Sequence, residues 1–203
     1  MRTIHTFPRR RPAGRSARPG ARRGFTLMET ALALVIVGTG VLASMQLFAT
    51  CSAESNTAIN ATTARMLAEN IREAMANLAF ADPVSGTARW GPEDGESLAS
   101  YDDVDDFDGP PVSSTQPSDG EIFNPPIDSQ RAQIPQLSKF RQIVTVMPVN
   151  PTDPAGNANE AAPTLPKGTY TGAVRVRVRV QYKANAPAPW VDLYTSSWVR
   201  ANN

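Results

Sequence analysis

The stretch that decides the fold is Gly24-Phe25-Thr26-Leu27-Met28-Glu29, followed by an apolar run from Ala31 to Phe48. A helix over the 24 residues from Phe25 to Phe48 would be roughly 36 Å long at about 1.5 Å per residue, and the hydrocarbon core of a bilayer is roughly 30 Å thick. The sequence therefore predicts a single membrane-spanning helix, in which residues 25–50 form the membrane half of a longer helix.

The residues before this run are strongly basic. Residues 1–24 contain eight arginines and no acidic residue, and their composition cannot bury enough surface to fold. We predict that residues 1–24 are a leader peptide that is removed. Positive charge marks the cytoplasmic flank of a span, so the leader is expected in the cytoplasm and the C-terminal domain on the opposite side. Without the leader, 12 basic and 19 acidic residues remain, a net charge of −7, which disfavours binding to nucleic acid.

The residue types left after leader removal exclude several kinds of active site. The one histidine of the chain, His5, lies in the leader, and the one cysteine is Cys51. Without histidine the chain has no side chain whose ordinary pKa suits proton transfer near neutrality, and it cannot build a Ser-His-Asp triad, a Cys-His pair or a Cys/His zinc site. We expect a protein that is not an enzyme and that has no intrachain disulfide.

Glu29 is unusual at this position. A carboxylate near the start of an apolar span is costly and by default requires a partner. The alternative is that Glu29 lies at the membrane interface, within reach of water and headgroups.

The residues around Glu29 carry a family resemblance. Arg22-Arg23-Gly24-Phe25-Thr26-Leu27-Met28-Glu29 resembles the cleavage and methylation signature of type IV prepilins and pseudopilins, although Met28 stands where that family more often has isoleucine or valine. The resemblance implies cleavage between Gly24 and Phe25, N-methylation of Phe25, and assembly into a filament. It also implies that Glu29 neutralises the N-terminal amine of a neighbouring subunit.

This resemblance implies a structural role as a minor pilin or pseudopilin of a type IV pilus or type II secretion filament. The implied partners are other pilin or pseudopilin subunits, a prepilin peptidase/methyltransferase and an inner-membrane assembly platform. The implied location is the inner membrane, with a periplasmic C-terminal domain that later becomes part of an extracytoplasmic filament. The pair Arg22-Arg23 also loosely matches a twin-arginine export signal. The alternative is therefore a membrane-anchored or twin-arginine-exported binding module with a calcium-binding acidic loop.

Residues 51–203 are predicted to form an exported pilin-like domain of α+β class. An amphipathic helix over 51–80 continues the membrane helix, and antiparallel strands over 138–200 form a small sheet beneath it. The clearest strand signal is the alternation from Val174 to Tyr182, whose valine face is expected on the helix. The apolar stripe of the helix is predicted to contain Ile59, Met66, Leu67, Ile71, Ala74, Met75 and Leu78.

Between helix and strands lies an acidic loop, residues 82–128, with 12 acidic residues against Arg89 alone. Calcium is the one candidate cofactor, because dense carboxylates suit this cation. The alternative is a solvated acidic loop. The segment is similar to the Asp-Asp-Val-Asp-Asp-Phe motif of the MSHA-type minor pilin class. The hypothesised calcium ligands are Asp103, Asp105, Asp106 and Asp108.

Overall fold

The computed structural model describes residues 24–110, 120–150 and 165–202. The predicted leader before Gly24 lies outside the described residues, and so does Asp119 of the acidic loop. The chain divides into two compact units, Met1–Thr50 and Cys51–Asn203. The elements are a helix, α1 (Leu27–Ala74), two short 3-10 turns (Asp105–Asp108 and Pro135–Leu137), and the strands β1 (Glu121–Phe123), β2 (Phe140–Pro148), β3 (Ala173–Tyr182) and β4 (Val191–Ala201).

The predicted α+β class is confirmed. One long N-terminal helix packs on a four-stranded antiparallel sheet with the strand order β1-β2-β3-β4. The three longer strands occupy the regions where alternation and β-favouring residues predicted them. Strand β1 was not predicted, because it has only three residues inside the acidic loop.

The core of the second unit lies between α1 and the central strands. Val174, Val176, Val178 and Val180 of β3 are buried, as the alternation predicted. On α1 the buried residues are spaced by three and four positions, as expected for one helix face. They are Ala64, Leu67, Ala68 and Ile71, with Met75 just after the helix end.

Two members of the predicted helix stripe do not belong to this face. The exposed fraction of Ile59 is 59% and that of Met66 is 49%. The small residues Ala64 and Ala68 take part in the buried face instead. Alanines at these positions allow close approach of the helix to the sheet, and alanine alone is too weak an apolar signal to be found from sequence.

The helix ends at Ala74 rather than at residue 80. The amide of Met75 still donates to the carbonyl of Ile71, but farther on the amide of Ala79 donates to the carbonyl of Asp102 at 3.0 Å. The guanidinium of Arg200, on β4, donates to the carbonyls of Met75 and Leu78. The carbonyl of Met75 also accepts the amide of Leu78 at 3.3 Å. Contacts with β4 and with the acidic loop thus hold the backbone that follows α1.

The arginines of β3 lie on the face opposite the valines. Arg175, Arg177 and Arg179 are half-buried, and Arg179 lies 4.0 Å from Asp192 of β4.

Gln142 of β2 is a fully buried polar residue of the core. Its Nε2 donates to the carbonyl of Leu67 at 2.8 Å and to that of Ile127 at 3.0 Å. Its Oε1 accepts the amide of Ile127 at 2.7 Å. One side chain thus joins the helix, the sheet and the segment before β2.

We predict that Gln142→Leu lowers the free energy of unfolding by about 1–3 kcal/mol, because it leaves the buried amide of Ile127 without an acceptor. The measurement is urea unfolding of the detergent-solubilised chain, followed by tryptophan fluorescence. The matched control is Gln136→Leu, at an exposed position, which we expect to be nearly neutral. Equal effects of the two substitutions would contradict the role given to Gln142.

Candidate functional site

The N-terminal segment is the first candidate. Gly24, Phe25 and Thr26 precede α1 and are exposed, with 77% of Phe25 accessible. The hydroxyl of Thr26 accepts the amide of Glu29 at 3.2 Å, so Thr26 caps the helix start. Glu29 lies in the first turn. The predicted cleavage and methylation residues are therefore non-helical, and the predicted assembly carboxylate is the first acid of the helix.

Sequence reasoning missed the role of Thr26. A threonine followed three residues later by a glutamate is a helix-start signature, and it could have placed the helix start at Leu27. Helix N-termini favour negative charge, which is a local reason for a carboxylate at position 29. Among the residues that the structure describes, none donates a hydrogen bond to the Glu29 side chain or forms an ion pair with it.

The part of α1 within the first unit is mostly apolar, and it is exposed throughout. Within the described ranges, α1 is the one helix long and apolar enough to cross a membrane. Its polar interruptions bond to the helix backbone: the hydroxyl of Thr39 donates to the carbonyl of Val35 at 3.0 Å, and that of Ser44 to the carbonyl of Gly40 at 2.8 Å. These hydroxyls therefore need no partner outside the helix.

The second candidate is the acidic turn, residues 102–109. Asp103, Asp105, Asp106 and Asp108 are all at most 2% exposed. The alternative of a solvated acidic loop is therefore wrong for these four residues. A buried carboxylate is costly unless it receives hydrogen bonds or a counter-charge, so the partners of each one matter.

Two of the four carboxylates accept backbone amides within the turn itself. Oδ1 of Asp103 accepts the amides of Asp105 at 2.9 Å and Asp106 at 3.1 Å. Oδ2 of Asp106 accepts the amides of Asp102 at 2.9 Å and Asp103 at 3.1 Å. This reciprocal arrangement defines the conformation of the turn.

Asp105 connects the turn to the preceding loop. Its Oδ2 accepts the amide of Gly91 at 2.9 Å and lies 2.8 Å from the hydroxyl of Tyr170. Gly91 has a φ of +80°, and a Cβ there would lie 2.7 Å from the carbonyl oxygen of Gly109. Only glycine fits this close approach.

Asp108 connects the turn to the sheet. It accepts the indole N–H of Trp90 at 3.0 Å, the amide of Val146 at 2.9 Å and the ammonium of Lys167 at 2.8 Å. The side chain of Asp108 is fully buried and that of Lys167 is 13% exposed. Burial raises the pKa of Asp108, and the charge of Lys167 opposes this shift.

Negative charge accumulates around Asp106. Its pKa is raised to about 7, first by burial and then by the charges of Glu96 and Asp105. The pKa of Asp103 is also raised, first by burial and then by Asp105 and Asp106. Both carboxyl groups therefore bind a proton more readily than an exposed aspartate does.

The structure brings together only part of the predicted calcium ligands. Among the described residues, two groups of three carboxylates have oxygens within 4.8 Å of one another. Asp106 belongs to both groups, Asp103 belongs to one, and neither includes Asp105 or Asp108. The groups are Asp102, Asp103 and Asp106, and Glu93, Glu96 and Asp106.

Glu93 and Glu96 were missed as members of such a group. The sequence placed them only among the 12 acids of the loop, because no spacing rule links position 93 or 96 to position 106. Their proximity to Asp106 arises from the fold of the loop around Gly91.

No model of a known protein family matches the chain, and no curated protein and no solved structure matches it.

We predict that Lys167→Met destabilises the second unit by about 3 kcal/mol, because it leaves the Asp108 carboxylate buried without its counter-charge. The measurement is again urea unfolding of the detergent-solubilised chain. Lys139→Met is the control, since Lys139 is exposed and we expect its loss to change little. If the two variants unfold at the same urea concentration, the ion pair with Asp108 does not stabilise the turn.

Proposed function

We propose that this protein is a structural subunit, a minor pilin or pseudopilin, of a type IV pilus or type II secretion filament. One observation carries the proposal: the segment Arg22-Arg23-Gly24-Phe25-Thr26-Leu27-Met28-Glu29 leads directly into a long apolar helix. A basic leader, a glycine, a glutamate five residues later and this helix together form the prepilin signature that the sequence resembles.

Processing is the first step of the proposed function. A prepilin peptidase cuts the peptide bond between Gly24 and Phe25, and the new amine of Phe25 is methylated. The local structure supports this step, because both residues are exposed and precede the helix. A protease needs an extended, accessible backbone at the bond that it cuts.

Membrane residence is the second step. Residues 25–50 hold the subunit in the inner membrane, with the arginine-rich side in the cytoplasm and residues 51–203 in the periplasm. The exposed apolar surface of this helix segment supports an environment of lipid or of neighbouring helices. The inner-membrane assembly platform then transfers the subunit into the filament.

Glu29 provides the contact that drives assembly. Cleavage creates a positively charged amine at Phe25, four residues before Glu29. In a filament of parallel subunits the carboxylate of one chain pairs with the amine of the next, in a surrounding of low dielectric where opposite charges attract strongly. The lack of a donor to Glu29 among the described residues supports a partner from another chain.

We predict that mass spectrometry of the membrane-extracted protein, from cells that contain a prepilin peptidase, finds an N-terminus at N-methylated Phe25. Gly24→Val is expected to leave the precursor uncut, because a β-branched residue replaces the glycine at the cleaved bond. The control Gly20→Val, within the leader, is expected to be processed like the wild type. An intact arginine-rich N-terminus in the wild type would contradict the proposal and favour the membrane-anchored or twin-arginine-exported binding module.

We also predict that Glu29→Ala is inserted and cleaved but enters filaments at least about tenfold less than the wild type, since it cannot pair with the neighbouring amine. The measurement is immunoblotting of sheared or purified filaments against the membrane fraction. Glu54→Ala is the control, because Glu54 is an exposed carboxylate on the same helix. Normal incorporation of Glu29→Ala would remove the role given to this carboxylate.

A further inference from the structure

Two buried carboxylate oxygens lack a hydrogen-bond donor among the residues that the structure describes. They are Oδ1 of Asp106 and Oε2 of Glu93. The other oxygen of each side chain is occupied: Oδ2 of Asp106 accepts two backbone amides, and Oε1 of Glu93 accepts the hydroxyl of Ser85 at 2.8 Å. Both side chains are thus fixed in position with one buried oxygen unsatisfied, which is costly in a fold unless a further ligand supplies the missing contact.

The two unsatisfied side chains belong to the same group. Glu93, Glu96 and Asp106 each offer an oxygen within 4.8 Å of the other two. Oxygens around one calcium ion, at a typical calcium–oxygen distance of roughly 2.4 Å, lie at separations of this order, so the three side chains are close enough to share an ion. Glu96 is also held in place, because its Oε2 accepts the amide of Glu93 at 3.1 Å.

No positive side chain among the described residues bonds to this group. The nearby Arg89 pairs instead with Asp94, at 2.7 Å. The charged neighbours that raise the pKa of Glu96, after burial itself, are Glu93 and Asp102. Three carboxylates in close contact, one of them fully buried, therefore require either protons or a cation.

We propose that Glu93, Glu96 and Asp106 form a divalent-cation site that takes calcium. The ligand set is all oxygen, which favours a hard cation. Glu93 and Glu96 are half-exposed, so water is the source of the further ligands in a shell of six to eight oxygens. Magnesium fits less well, because it demands near-octahedral geometry at about 2.0–2.1 Å.

This site differs from the one expected from sequence. It includes Asp106, but Glu93 and Glu96 take the place of the other three aspartates. Those carboxylates accept hydrogen bonds elsewhere: Asp103 within the turn, Asp105 from the Gly91 loop and Asp108 from the sheet. Calcium would link the loop at residues 91–96 to the acidic turn, both within the second unit. In a chain with a single cysteine the ion takes the place of a disulfide as a cross-link. The site does not depend on the proposed role in a filament.

The test uses the full chain in a neutral detergent, freed of metal with EGTA and titrated with calcium chloride in a calorimeter. We expect saturable binding of one ion per chain, with a dissociation constant of about 1 mM or tighter, as for extracellular calcium modules. Calcium is also expected to raise the melting temperature, as any ligand specific to the folded state does. Magnesium chloride is expected to bind at least about tenfold more weakly.

Three variants locate the ion. Glu93→Gln and Glu96→Gln keep the size of each side chain and are each expected to weaken calcium binding at least about tenfold, because each removes one charged ligand. Asp94→Asn is the matched control, since it removes an exposed carboxylate between the two ligands, and its affinity is expected to stay within about twofold of the wild type. Circular dichroism without metal checks that every variant is folded.

Several results would overturn the proposal. One is the absence of binding heat and of a melting shift at calcium concentrations up to about 10 mM, well above the usual range for such sites. A second is unchanged affinity in both glutamine variants. A third is an equal loss in Asp94→Asn, which would indicate diffuse attraction by acidic charge. If Glu96→Gln stabilises the metal-free chain while calcium leaves the wild type unchanged, the group holds a proton instead of an ion.

Discussion

The burial of one face of α1 on the valine face of the sheet is the interaction on which the second unit depends. Val144 and Val146 of β2 pair in register with Val178 and Val176 of β3, and the helix face around Leu67 covers them. Each fully buried aliphatic side chain contributes roughly 1.5–3 kcal/mol, so this layer dominates the stability. The chain contains a single cysteine and can form no internal disulfide that would replace it.

The acidic turn is placed against this core by hydrogen bonds as well as by apolar surface. Asp108 bonds to the β2 backbone at Val146, Asp105 bonds to the Gly91 loop, and Phe107 between them is fully buried. The aromatic ring anchors the turn, and the aspartates satisfy backbone amides that the turn would otherwise bury without partners. A dense run of aspartates is thus a structural element here, and its Asp106 lies close to Glu93 and Glu96 of the preceding loop.

The sequence predicted those features that depend on local periodicity. The alternation of valine and arginine predicted β3, and the three- and four-residue spacing at Leu67 and Ile71 predicted the buried helix face. It failed where a distant residue decides the outcome. After Ala74 the chain leaves the helix and bonds to Arg200 and Asp102, and Gln142 is buried because the carbonyls of Leu67 and Ile127 accept its amide. The carboxylate group around Asp106 could not be predicted from the sequence for the same reason, since only the folded loop brings Glu93 and Glu96 to it.

Glu29 and the aspartates of the acidic turn carry the same chemical group in opposite situations. The aspartates obtain their donors from this chain: backbone amides for Asp103 and Asp106, an amide and a hydroxyl for Asp105, and an ammonium for Asp108. Within the described residues, Glu29 has the favourable field of a helix N-terminus but no donor, and this field acts on a carboxylate without neutralising it. In a membrane, where an unpaired charge is costly, this difference favours a positive partner from outside the chain. The amine that cleavage after Gly24 would create on a neighbouring subunit has the required charge. It would also lie near the required depth, four residues before the carboxylate. Under the proposed function, the cost of Glu29 in the bilayer would become a driving force for assembly.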